Sequence, residues 1–290
     1  MNLYVTDTEI KNYLGISGSG QDTKIAMMNK SATERVNRLL SVSDLAFHKV
    51  TEEVHDAIGK KIYALRDMHV QSIGTILDDT TEYTQDEEYD IENYLLRLED
   101  SLWQGKRKGK ITYSAGWNAG GYTTLTVTDY SSIASADTIA IDPGGAGAET
   151  LTEGTDWDAE TSNTVTANNI ADAINTNATL AGSSGVRAFS LGAVVYIIDR
   201  VPQRETSTVT LGTGTGLSLS ATTMTGVDFP EDIREAIIYA VGAKLSIGNA
   251  KGITRYRIGS KEVTYQTERD IDEQLKKMLR PYMRAVVKTV

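Results

Sequence analysis

A break in composition divides this chain of 290 residues and constrains its fold more than any single motif. From Ala119 to Val227 there is no lysine, and threonine, serine, glycine and alanine dominate. The segment has three basic residues against eleven acidic ones, so most of the net charge of −10 lies within it. Because ordinary charged composition resumes afterwards, we expect residues 119–227 to be a domain inserted into a host domain formed by residues 1–118 and 228–290.

The N-terminal flank predicts two helices. Thr6 and Glu9 have the spacing of a capping box, which predicts a short helix that starts after Thr6. We expect its apolar face to contain Ile10, Tyr13 and Leu14. A longer helix is predicted to follow, with Asp22 as its N-cap.

The C-terminal flank predicts two further helices and a ribbon. Pro230 suits the first turn of a helix. A wide apolar stripe follows it, formed by Ile233, Ile237, Val241 and Leu245. Alternation around Gly259 indicates a β-ribbon, and a terminal helix from Asp270 is expected to end before Pro281.

Short strands are predicted between these helices and throughout the insert. In the host, we expect residues 105–109 to form a loop and residues 110–117 a strand. In the insert, clean alternation of polar and apolar residues predicts several strands, and residues 166–174 predict one helix. The predicted class is α+β: a small, mainly helical host domain with short β-strands and a ribbon, interrupted by an inserted β-rich domain with one helix.

Composition excludes several functional classes. The chain has no cysteine, which excludes disulfides, thiolate nucleophiles and cysteine-ligated metals. No apolar run approaches the roughly 18 residues of a membrane span, so we expect no membrane association and a soluble chain made in the cytoplasm. The acidic balance argues against tight binding of nucleic acid, although DNA sliding past the protein without sticking is compatible with it.

Two charged stretches are candidate functional surfaces. Asp78 and Asp79 begin an acidic stretch that lacks the glycine and spacing of a calcium loop. A solvated loop is the favoured interpretation, and lining a DNA channel is the alternative. Lys106, Arg107 and Lys108 are either solvated, paired with an acidic neighbouring subunit, or in contact with DNA.

No catalytic or metal-binding pattern stands out. The three histidines are dispersed, and no spacing places two ligands on one helix face. Asp156 and Asp158 resemble a pair of catalytic carboxylates, but adjacent acids in a polar turn more often face solvent. We therefore expect no cofactor, no metal and no enzymatic activity, and we keep a hydrolase that uses these carboxylates as a minor alternative.

The flanks together resemble the tailed-phage head–tail connector (adaptor) family, whose members join the portal ring to the tail. The resemblance covers both flanks and none of the insert. Its motifs occur in a shared order: Tyr4-Val5-Thr6 with its capped helix, Tyr113-Ser114-Ala115-Gly116-Trp117, Pro230-Glu231-Asp232-Ile233, Ile258-Gly259-Ser260 and Leu279-Arg280-Pro281-Tyr282-Met283-Arg284.

The resemblance implies a structural virion protein at the head–tail interface, or neck. Such a protein forms a homo-oligomeric ring, with a dodecamer expected, between the portal protein and a tail or further neck protein, and double-stranded DNA passes through it transiently. The segment implied to dock on the portal contains Pro281, Tyr282, Met283, Arg284, Val286 and Val287. The stripe from Ile233 to Leu245 is expected to pack within and between subunits. The alternative function is a phage surface protein that binds carbohydrate through the insert.

Overall fold

The computed structural model describes residues 3–42, 44–58, 62–78, 81–82, 89–92, 95–98, 104–144, 147–212, 216–249, 255–258, 261–264 and 268–283. Over these residues the chain is a mixed α+β protein with five α-helices and several small antiparallel sheets, which confirms the α+β class. The mainly helical host domain and the inserted domain stay predictions. The helices are α1 (Asp7–Tyr13), α2 (Asp22–Leu40), α3 (Asn163–Thr176), α4 (Glu231–Asn249) and α5 (Glu268–Met278).

Sixteen strands are present in the described residues. They are β1 (His48–Ile58), β2 (Ile62–Ala64), β3 (Val70–Asp78), β4 (Thr81–Glu82), β5 (Tyr89–Glu92), β6 (Leu95–Leu98), β7 (Gln104–Ala115), β8 (Tyr122–Val127), β9 (Thr138–Asp142), β10 (Glu149–Thr152), β11 (Val186–Leu191), β12 (Val194–Asp199), β13 (Thr208–Leu211), β14 (Leu217–Leu219), β15 (Arg255–Ile258) and β16 (Lys261–Thr264).

The chain forms two compact units. The helical unit joins Leu3–Ser43 to Phe229–Val290, and the sheet unit spans Asp44–Asp228. The opening and closing helices therefore pack in one unit despite their separation in sequence. The predicted domain boundary between residues 118 and 119 falls within the sheet unit, and it stays a prediction.

The two N-terminal helices start differently from one another. Thr6 caps α1 as predicted, because its hydroxyl oxygen accepts a hydrogen bond of 3.1 Å from the Glu9 amide. The predicted cap of α2 is wrong, since Asp22 is its first helical residue and Gln21 precedes it without a side-chain cap. The Asp22 carboxylate instead accepts a hydrogen bond of 2.6 Å from the Lys11 ammonium.

The first sheet of the sheet unit has the strand order β1-β7-β3-β4. Strand β7 pairs antiparallel with β1 from His48↔Ala115 to Ile58↔Gln104, so the predicted loop at residues 105–109 is wrong. Strand β1 pairs with β7 over its whole length and β3 pairs with it from Gly109 onward, and this pairing outweighs the turn tendency of Gly105 and Gly109.

Gly116 explains the end of the Tyr113–Trp117 motif. Its φ angle is +99°, in the region that favours glycine. A Cβ atom at this position would lie 2.6 Å from the Ala46 carbonyl oxygen. The Gly116 amide donates hydrogen bonds to the carbonyl oxygens of Met68 (3.2 Å) and His69 (3.1 Å). These contacts fix the turn after β7.

The segment predicted as an insert contains two small sheets and one helix. The sheets have the strand orders β11-β12-β8-β14 and β10-β9-β13. Helix α3 confirms the predicted helix and extends it in both directions, whereas β10 was not predicted. One hydrophobic cluster, which includes Ile139, Trp157, Ile170 and Ile197, consists only of residues from this segment.

Phe47 links this segment to the first sheet within the sheet unit. Its ring packs edge-on against Phe189 and Tyr196, with both centroid distances equal to 5.3 Å. Two residues after Phe47, in β1, the Lys49 ammonium donates a hydrogen bond of 2.6 Å to the Ser190 carbonyl oxygen. Phe47 and Lys49 therefore face the segment predicted as an insert, while Val50 packs in the core of the first sheet.

Candidate functional site

The apolar stripe of α4 is buried inside the helical unit. Ile233, Ile237 and Val241 have no exposed surface, and Leu245 is nearly as buried. The same helix also buries Ile238 on another face, which makes α4 the central helix of the unit. The predicted stripe therefore serves the core of a single subunit, and its side chains are already covered in this conformation.

Polar contacts fix the other helices around α4. The Lys244 ammonium on α4 donates 2.8 Å to the Ser31 hydroxyl on α2, and Arg234 pairs with Glu9 of α1. Arg35 of α2 donates 2.6 Å from Nε to Asp272 of α5. This hydrogen bond holds the pKa of Asp272 below its usual value, although burial opposes the shift. The four helices therefore form one interlocked platform.

The start of the predicted docking segment lies against the platform. A 3-10 turn spans Arg280–Tyr282 and contains Pro281, which confirms that the terminal helix ends before this proline. Burial and the neighbouring Asp232 carboxylate raise the pKa of Tyr282. Met283 is 38% exposed, so the last described residue leaves the unit at its surface. Arg284, Val286 and Val287 lie outside the described residues.

The predicted charged residues lie on the first sheet. Lys106, Arg107 and Lys108 belong to β7, and Asp78 is the last residue of β3, where it pairs with Gly109. Asp79 lies outside the described residues. The sheet brings the basic stretch and Asp78 to the same end, because β7 and β3 are antiparallel neighbours.

Besides Met283, two large apolar side chains in the described part of the helical unit are exposed. Met27 on α2 is 71% exposed and Tyr13 at the end of α1 is 67% exposed. Of the predicted apolar face of α1, Ile10 is buried and Leu14 is half-buried, whereas the inclusion of Tyr13 is wrong because its side chain is exposed. These two exposed side chains are the candidate contact residues of the unit that the sequence did not reveal.

A chain of buried and half-buried polar groups crosses the first sheet. The Tyr113 hydroxyl donates to the Glu53 carboxylate and accepts a hydrogen bond of 3.2 Å from the Asp67 amide. His55 lies 2.9 Å from Glu53, and His48 lies 3.4 Å from the fully buried Asp67. Sequence spacing could not reveal this network, because its members come from separate elements.

The network shifts the pKa values of its members in opposite directions. Burial opposes the charged form of Glu53, but hydrogen bonds from His55 and Tyr113 lower its pKa. Burial also disfavours charged His48, yet its bonds to Asp67 and the Ala46 carbonyl raise its pKa. Burial and the Glu53 carboxylate raise the pKa of Tyr113. These shifts follow from contacts within the fold, and Tyr113 belongs to the motif noted in the sequence.

The described residues provide no assembled metal site, since no three potential ligands converge among them. Asp156, one of the two candidate carboxylates, accepts a hydrogen bond of 2.8 Å from the Thr152 amide and stabilises a turn. Asp158 is exposed nearby. In the part of the chain described, no helix is long and apolar enough to cross a membrane.

Comparison with known proteins gives one family. Residues 4–135 match the model of a family described as head completion protein, HCP. The match begins at Tyr4, includes the Tyr113–Trp117 motif and reaches into the first strand region of the predicted insert. No curated protein matches the chain.

Proposed function

Because residues 4–135 match the head completion protein family, which supports the connector resemblance, we propose that this chain is a ring adaptor between portal and tail of a tailed phage. The family indicates a structural protein of phage head assembly, without enzymatic activity, at the head–tail region of the virion. It also implies interaction with other head or tail proteins. The match is the observation that carries the proposal.

The C-terminal segment is the part proposed to dock on the portal. The platform holds Tyr282 beside Asp232, and the chain leaves the surface at Met283. Short segments that follow an anchored turn can order on a partner by joining a sheet edge or by filling a groove. Val286 and Val287 provide the apolar side chains, and Arg284 provides a charge for this contact.

The subunits are proposed to form a dodecameric ring. Because the apolar stripe of α4 is buried inside one subunit, the contacts between subunits must use another surface. Ring interfaces are heterologous, so one surface of a subunit meets a different surface of the next. Met27 and Tyr13 are exposed apolar side chains of the kind that such contacts cover. They support a role for α1 and α2 in self-association.

The DNA conduit is proposed to use the charged end of the first sheet. Lys106, Arg107 and Lys108 share this end with Asp78. Mixed charge and a net acidic chain suit transient passage of DNA better than tight binding. The insert is proposed to lie outside the bore, where a bulky domain leaves the path open.

Truncation of the C-terminal segment tests the docking proposal. Removal of residues 284–290 leaves Tyr282 in place, so the helical unit should remain folded. We expect the truncated protein to lose binding to purified portal in a pull-down, while Lys277→Ala, an exposed change on α5, retains it. Undiminished portal binding after truncation would refute the docking role of this segment.

A further inference from the structure

Lys49 lies in an open groove of about 460 Å³ between α3 and β11. Asn168 and Asp172 from α3 line the same groove, together with Ser190 from β11. An amine, a side-chain amide and a carboxylate are thus gathered in one place. An amine can react with an amide carbonyl when a carboxylate carries the proton between them.

Lys49 is held as a nucleophile in this groove. Its Nζ donates a hydrogen bond of 2.6 Å to the Ser190 carbonyl oxygen, which fixes the amine at the groove wall. Burial lowers the pKa of the Lys49 ammonium, which increases the share of neutral amine. A neutral lysine amine is the form that attacks a carbonyl carbon.

Asn168 presents the matching electrophile. The Ser190 hydroxyl donates to its Oδ1 atom, which polarises the amide carbonyl and can stabilise negative charge that develops on the oxygen. Ser190 therefore contacts both Lys49 and Asn168. The other asparagine of the groove, Asn175, is instead fixed to Ala188 by hydrogen bonds of 2.7 and 3.0 Å.

Asp172 is placed to move a proton. It follows Asn168 by four residues, so the two side chains lie on one face of α3. Asp172 is exposed and lines the same groove, and a carboxylate can accept a proton from one nitrogen and deliver it to another.

We propose that Lys49 and Asn168 form an intramolecular isopeptide bond, with Asp172 as the proton carrier. The neutral Nζ of Lys49 attacks Cγ of Asn168, and the Ser190 hydroxyl stabilises the oxygen of the tetrahedral intermediate. Asp172 accepts a proton from Nζ and returns it to Nδ2. The Cγ–Nδ2 bond then breaks, ammonia leaves, and no oxidant or reductant is needed.

The bond would join β1 of the first sheet covalently to α3 of the predicted insert. A covalent link that closes a long loop restricts the unfolded chain, as a disulfide does, in a protein without cysteine. The proposal does not depend on the role of the protein in the virion.

Intact-mass measurement of the purified full chain tests the bond. After incubation at neutral pH, we expect the mass to fall below the sequence mass by one ammonia. A tryptic digest should contain a branched peptide that joins the segments around Lys49 and Asn168. A full sequence mass after prolonged incubation, or ammonia loss without the branched peptide, would overturn the proposal.

Three variants assign the roles. Lys49→Arg keeps the positive charge but lacks the primary amine, so it should have the full mass. Asp172→Asn should slow the reaction, and Lys110→Arg, a change on the neighbouring strand, should react like the wild type. Ammonia loss that persists in Lys49→Arg would contradict the assignment, and circular dichroism verifies that each variant is folded.

Discussion

Asn118 and Asp228 exchange two hydrogen bonds although the whole predicted insert separates them in sequence. The Asn118 amide donates 2.5 Å to Oδ1 of Asp228, and the Asp228 amide donates 3.1 Å to the Asn118 carbonyl oxygen. Insertions are tolerated where the chain leaves and returns at neighbouring points. The pair therefore supports the proposal that residues 119–227 are an insertion.

Loss of the Asp228 carboxylate should lower the stability of the sheet unit. Asp228→Ala leaves the amide of the buried Asn118 without its acceptor, which costs about 1 kcal/mol of unfolding free energy. Asp228→Asn retains an acceptor oxygen and serves as the control. Urea denaturation measures both variants, and equal stability of Asp228→Ala and the wild type would contradict the role of the pair.

Any side chain at Gly116 should destabilise the sheet unit. Gly116→Ala places a Cβ against the backbone at Ala46 and forces a left-handed φ on alanine, with an expected loss of about 2 kcal/mol or more. Gly147→Ala is a matched control, because its φ angle of +95° is close to that of Gly116, while a Cβ there meets only Thr179, at an ordinary contact distance of 3.9 Å. If both variants lose the same stability in urea denaturation, the close approach at Gly116 is unimportant.

Core and contact residues of the helical unit should respond differently to substitution. Ile237→Ala removes fully buried atoms and should lower the unfolding free energy of the isolated protein by roughly 2–4 kcal/mol. Met27→Asp changes an exposed side chain, so stability should stay within about 0.5 kcal/mol while self-association on the portal weakens. Thermal unfolding and analytical ultracentrifugation separate the two effects. Unimpaired assembly of Met27→Asp would remove α2 from the proposed interface.

The Arg35–Asp272 pair should make stability depend on pH. Because the folded pKa of Asp272 is lowered, the pair stabilises the protein above the unfolded pKa of about 3.9, and this contribution is lost as pH falls through the folded pKa. Arg35→Met should therefore cost up to about 1 kcal/mol near pH 7, since Asp272 is partly exposed and solvent screens the pair.

The difference between Arg35→Met and the wild type should shrink in acid. Denaturation curves at neutral pH and at about pH 3 measure it, with Gln274→Ala as the exposed control on α5. A constant difference across this range would mean that Arg35 acts through packing alone.

The sequence predicted elements whose signals are local. The Thr6 cap, the ribbon around Gly259 and the end of the terminal helix at Pro281 follow from neighbouring residues, and the structure confirms each of them. The sequence also predicted a helix from residue 166 to residue 174, because its apolar residues share one face.

Features that depend on distant partners were missed. The stretch at 105–109 is a strand because β1 pairs with it at Gly105 and Gly109 and β3 pairs with it at Gly109. Asp22 lies inside the first turn of α2, and its carboxylate pairs with Lys11 of α1. The network of Glu53, Tyr113 and Asp67 requires elements that meet only after folding, so spacing along the chain carries no signal for it.

Native mass spectrometry of the purified protein mixed with its portal tests the adaptor function most directly. The proposed function predicts a single complex in which a closed ring of this chain, with one copy for each portal subunit, is bound to the portal. A protein that stays monomeric and unbound in the presence of assembled portal would contradict it.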